Sequence, residues 1–87
     1  MSVRVNYLIV CRSLTYAQRT AKVLERAGIS AYIMRTPRAI AGEGCSHAVR
    51  VSQRRINDAL RALSRVGMPA QRVFVLEPDG GYREVAL

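Results

Sequence analysis

The chain has 87 residues, enough for one domain and too few for a second. Apolar residues make up 49% and charged residues 23%, a globular balance that excludes general disorder. The net charge of +8 is nearly all arginine, thirteen Arg beside the single Lys22. It reads either as a solvated arginine surface or as a face for an anionic partner.

Residues 3–10 (VRVNYLIV) alternate and then run apolar, as a covered strand does. With Arg4 and Asn6 inside it, the segment is too short to span a bilayer and has no secretory pattern. Ser13 or Thr15 can open the first helix, and Thr15 with Gln18 fits a capping box. Ala17, Ala21, Leu24 and Ala27 recur at helical spacing, Val23 widens the stripe, and Gly28 ends it.

Residues 31–35 (AYIMR) predict a second strand. Residues 36–44 (TPRAIAGEG) hold one Pro and two Gly and predict a loop. Residues 45–52 (CSHAVRVS) alternate as a third strand, and Ser52 is the expected cap of the second helix. Ile56, Ala59, Leu60, Leu63 and Val66 form that helix's stripe before Gly67. Residues 72–77 (RVFVLE) predict the fourth strand. Pro78, Asp79, Gly80 and Gly81 make a turn, and residues 82–87 either add an edge strand or fray. We expect a domain over 1–78, with 79–87 as a C-terminal turn and tail or edge strand.

The two halves echo each other. LERAGISA from Leu24 matches LSRVGMPA from Leu63, with Leu, Arg, Gly and Ala in register 39 residues apart. A repeated β-α-β unit predicts an α+β fold of the ferredoxin-like, split β-α-β kind (βαββαβ). Its antiparallel sheet would run 4-1-3-2 with both helices on one face.

That topology carries the chemistry. The end of the first strand would lie beside the start of the third, so Cys11 and Cys45 are expected at the same end of the sheet. The first helix starts there too. A helix N-terminus carries about half a positive charge and depresses a nearby thiol pKa. Arg12, Arg35 and Arg38 flank the same end, and Gly42 and Gly44 leave room for a partner to approach Cys45. A cysteine is also a common buried filler. Cys11, closing an apolar strand, fits that reading as well as that of a second thiol, and Cys45 stands open between filler and functional thiol. His47, two residues on, shares a strand face with Cys45 and is a candidate base, or simply a structural residue. Cys11, Cys45 and His47 match no standard zinc spacing and have no visible fourth ligand, so no metal is expected.

Two cysteines are too few for a disulfide scaffold, so reduced thiols and a cytoplasmic setting are expected. No phosphate loop, serine elbow or paired-carboxylate signature is present, which disfavours a turnover enzyme. The basic residues are scattered and no strand is rich in aromatics, so nucleic acid is not the expected partner.

Thr36-Pro37-Arg38, then Gly44-Cys45-Ser46, then Ala48-Val49-Arg50-Val51 carry a family resemblance. With Tyr7-Leu8-Ile9-Val10, Ser13 to Thr15, and Ala27-Gly28-Ile29, the chain resembles the small bacterial selenium/sulfur carrier-like proteins over residues 6–76. The resemblance implies that Cys45 is the family cysteine and holds a persulfide or selenopersulfide passed between donor and acceptor proteins. It implies that Pro37, Gly44 and Ser46 frame the site, and that Arg38 and Arg50, with Arg35 nearby, stabilise the anion. Ser46 stands where the family often has Gly. No cofactor is implied beyond covalent sulfur or selenium on Cys45. The alternative is a small-ligand-binding regulatory module acting as a homodimer through the open sheet face, because Leu8 and Val10 need cover.

Overall fold

The computed structural model describes residues 5–42 and 47–87. In chain order the elements are β1 (Asn6–Cys11), α1 (Leu14–Arg26), β2 (Tyr32–Arg35), β3 (His47–Ser52), α2 (Ile56–Arg65), β4 (Arg72–Leu76) and β5 (Tyr82–Val85). The fold is α+β, with two helices and one antiparallel sheet in the order β2-β3-β1-β4-β5. The four-strand 4-1-3-2 arrangement is therefore not the order of the whole sheet. The C-terminal segment pairs with β4, Val73 opposite Val85 and Leu76 opposite Tyr82, and adds a fifth strand.

The turn at 77–81 explains that addition. Glu77 N–H donates to the Gly81 carbonyl at 2.8 Å, and Gly81 N–H to the Asp79 carboxylate at 2.8 Å. Gly80 sits at φ 90°, where a side chain would clash with its own backbone. Arg83 reaches back to Glu77 at 2.6 Å across the hairpin.

Period-two alternation sorts the strands onto two faces. Ile9, Cys11, Val49, Val51 and Val73 point to the helices, where Ala17, Leu24, Ile56, Ala59 and Leu63 meet them. Leu8, Val10, Ala48 and Phe74 point the other way. α1 presents Ala17, Thr20, Ala21 and Leu24 to the sheet, while Ala27, expected on that stripe, is exposed.

The face without helices is also covered. After β2 the loop 36–42 turns, with Ile40 N–H donating to the Pro37 carbonyl at 3.0 Å. Ile40 then packs onto Leu8, Val10, Ala48 and Phe74, with Met34 and Tyr82 at the margin. Leu8 is 1% exposed and Val10 7% within the single chain. Ile40 of the chain's own loop thus covers the Leu8 and Val10 side chains that were expected to need a second copy.

The first helix starts at one of its two expected caps, and the second does not start where expected. Ser13 is the cap of α1, and its hydroxyl accepts the Tyr16 N–H at 3.1 Å. Thr15 lies inside the helix, so it does not head a capping box. Ser52 does not cap α2: it is still paired with Asn6 at the end of β3. A turn follows, with Arg55 N–H donating to the Ser52 carbonyl at 3.0 Å, and α2 starts after Arg55 with no side-chain cap.

The helix exits form a matched pair. At the first, Ile29 N–H bonds the Leu24 carbonyl at 2.9 Å and Gly28 N–H bonds Glu25 at 2.9 Å. At the second, Met68 bonds Leu63 at 2.9 Å and Gly67 bonds Ser64 at 3.1 Å. Both are Schellman caps, with glycine φ of 78° and 73°. A methyl on Gly28 would meet nothing within 4 Å, so only the left-handed backbone penalises it. Gly28→Ala should cost about 1–2 kcal/mol, read as a lower urea midpoint at unchanged slope.

Candidate functional site

Register builds the site end of the sheet. Cys11 lies opposite His47 across β1 and β3, and His47 lies opposite Arg35 across β3 and β2. Residues directly opposite share a face. Arg35, His47 and Cys11 therefore form one row on the helix side of the sheet. Burial deepens along it: Arg35 is exposed, His47 half-buried and Cys11 2% exposed.

α1 begins at the same end, just after the row. Arg12 stacks over the Tyr16 ring at 5.1 Å, holding a guanidinium beside the first helical turn. The first-turn N–H groups and the helix dipole both favour negative charge there.

Cys11 belongs to the core packed against both helices. Among the described residues its S–H has the Ile9 carbonyl at 3.5 Å and the Thr20 hydroxyl at 3.9 Å as acceptors in reach. Thr20 is 1% exposed, a buried hydroxyl on an otherwise apolar stripe. The sequence reading missed it; its signal is position three after Ala17, on the buried side. A small cavity of about 90 Å³ adjoins Cys11, between Tyr16 and Thr20 on one side and Met68 and Pro69 on the other.

The remaining expected residues divide between the two faces. Pro37 is half-buried and Arg38 exposed, in the loop whose Ile40 covers the helix-free face. Thr36 Oγ1, just before them, is buried without a hydrogen-bond partner among the described residues. Arg50 lies three residues beyond His47 on β3, roughly 10 Å along the strand, and on the opposite face. There it stacks over the Tyr32 ring at 5.0 Å. Arg50 thus does not join the Arg35–His47 row. Gly44, Cys45 and Ser46 lie outside the described residues, so the expected meeting of Cys45 with Cys11 does too. Among the described residues no group of three His, Cys, Asp or Glu side chains could hold a metal ion. No described helix is long and apolar enough to cross a membrane.

At the far end of the sheet lies a feature absent from the sequence reading. A depression of about 830 Å³ opens between the start of β1, the exit of α1 and the turn before α2, and Tyr32, Arg50, Arg54 and Arg55 line it. Its sequence signal is the Arg54-Arg55 pair directly ahead of a helix.

Comparison with family models matches residues 6–75 to the family described as "Putative Se/S carrier protein-like". No curated protein and no solved structure matches the chain.

Proposed function

Because the chain belongs to the Se/S carrier-like family, we propose that it carries sulfur or selenium as a persulfide or selenopersulfide on Cys45 and passes it to a partner enzyme. The observation that supports this most is the fate of the other thiol. Cys11 is a packed core residue at 2% exposure, which leaves Cys45 as the cysteine for exchange chemistry. Cys45 precedes β3 by two residues in the chain, and β3 opens on His47, in the row that Arg35 starts.

The chemistry is thiol exchange. Cys45 thiolate attacks the terminal sulfur of a donor persulfide, R–S–SH. The donor S–S bond breaks and R–S⁻ leaves, giving Cys45–S–SH. An acceptor thiolate then attacks that terminal sulfur, and Cys45 departs as thiolate. Selenium in the terminal position follows the same course. No net oxidant or reductant is needed. Arg35 and Arg38 would hold the anionic cargo, and His47 would take or give its proton. Pro37 limits the conformations of the loop that leads to Cys45. A chain with this role is a carrier rather than a turnover enzyme, and it belongs where thiols stay reduced, the cytoplasm.

The test is loading followed by intact mass. Reduced protein is incubated with a low-molecular-weight persulfide, R–S–SH, or in parallel with the corresponding selenopersulfide, R–S–SeH, so that each transfer releases R–S⁻. Wild type and Cys11→Ala should each gain one chalcogen atom, and Cys45→Ser should gain none. Arg35→Ala with Arg38→Ala should slow loading at neutral pH and recover at higher pH, where the thiolate forms unaided. Equal loading of wild type and Cys45→Ser would overturn the reading.

A further inference from the structure

The arginine-lined depression lies at the end of the sheet away from the Arg35–His47–Cys11 row. Asn6, on its wall, and Cys11 are the two ends of β1, roughly 17 Å apart along the strand. Three guanidiniums line the depression, from Arg50, Arg54 and Arg55, and among the described residues no carboxylate does. Arg55 is partly engaged, with Asp58 at 3.4 Å. Among the described residues Arg50 stacks on the Tyr32 ring and has no ion pair, and Arg54 has no ion pair. α2 starts at the rim with no side-chain cap, so its first N–H groups point the same positive way.

We propose that this depression is a docking site for an acidic segment of a partner protein. Charge complementarity sets the class of ligand. Arginine forks bind carboxylates in pairs of parallel hydrogen bonds. Ser30, Ser52 and Gln53 supply neutral hydrogen-bonding groups between them. Small-molecule sites are mostly apolar-walled, and this wall is mostly polar. Single-stranded nucleic acid needs open aromatic platforms, whereas the one aromatic ring here, Tyr32, already carries Arg50 on a face. Tyr32, 58% exposed, and arginine are residue types that dominate protein interfaces. A partner held at this end leaves the other end of the sheet clear for exchange. The docking site rests on the carrier reading only for what the partner does once bound.

The experiment is fluorescence anisotropy on the full chain with a labelled glutamate-rich peptide at moderate salt. The same peptide with glutamine for glutamate, a thymidine oligonucleotide and inorganic phosphate serve as comparators. Arg54→Ala and Arg50→Ala should each weaken peptide binding roughly 3–10-fold. Arg19→Ala and Arg61→Ala, which remove the same charge from exposed helix positions, should weaken it by less than about twofold. Equal losses at all four positions would reduce the effect to net charge and overturn the site. Tighter, Arg54-dependent binding of the oligonucleotide would overturn the peptide as ligand, and so would displacement of the peptide by phosphate at equal concentration. Sulfur loading of Cys45 from a small donor should be unchanged in Arg54→Ala. A failure of docking is therefore separable from a failure of the carrier reading.

Discussion

In reduced Cys45→Ser protein, where Cys11 is the only thiol left, iodoacetamide labels Cys11 at least ~10³-fold more slowly than in the urea-unfolded chain. The reason is position. Cys11 is 2% exposed, on the helix side of the central strand, among Ile9, Ala17, Leu63 and Val73. No motion of one loop uncovers it, because both helices pack over that face. The reagent must wait for an opening that lifts a helix from the sheet, and such openings approach the global unfolding free energy. The labelling rate should rise with urea along the same curve as the loss of circular dichroism. Rapid labelling without urea would mean that the 90 Å³ cavity beside Cys11 admits reagent, and would return Cys11 to the exchange chemistry as a second thiol.

Ile40→Ala should destabilise the protein by about 2–4 kcal/mol and make it associate. Ile40 is a loop residue, yet it is only 8% exposed and lies on Leu8, Val10, Ala48 and Phe74. Truncation removes its transfer free energy and uncovers apolar side chains on the one face that has no helix. A chain of 87 residues has little stability to spare, so this single change takes a large share of it. Urea unfolding reads the first effect, and sedimentation at micromolar concentration the second. Ala39→Ser, at the exposed neighbouring position, should change neither. If Ile40→Ala sediments and unfolds like wild type, Met34 and Tyr82 suffice to cover the face.

Much of this architecture is written in the chain at short range. The Leu24 and Leu63 repeats announce two helix exits of one kind, and the structure has two Schellman caps there. The apolar run at residues 7–10 marks a covered strand, and β1 lies at the centre of the sheet. Pairing of β1 with β3, which sets Cys11 opposite His47, follows from the β-α-β repeat. What escapes the sequence is decided at long range. Nothing local says that Ile40 crosses back over the sheet, so the open face looked unpartnered. Thr20 reads as a break in a stripe until Cys11 is placed beside it. Ser52 has a capping side chain, but its pairing with Asn6 holds it in the strand, and α2 starts only after Arg55. Arg50 and His47 are neighbours on one strand, and only the pleat separates them onto opposite faces. The residues around Cys45 are read from family likeness alone, since 43–46 lie outside the described residues.

The fifth strand changes what the sheet shows at its rim. Without it, the flank of β4 would be open backbone beside Val73, Phe74 and Val75, an invitation to any stray extended chain. With it, that margin is four residues long and bears Arg83 and Glu84, and the opposite margin, β2, is equally brief and ends in Arg35. Borders of four residues, each bearing arginine, give fibril-like stacking little length to grow along.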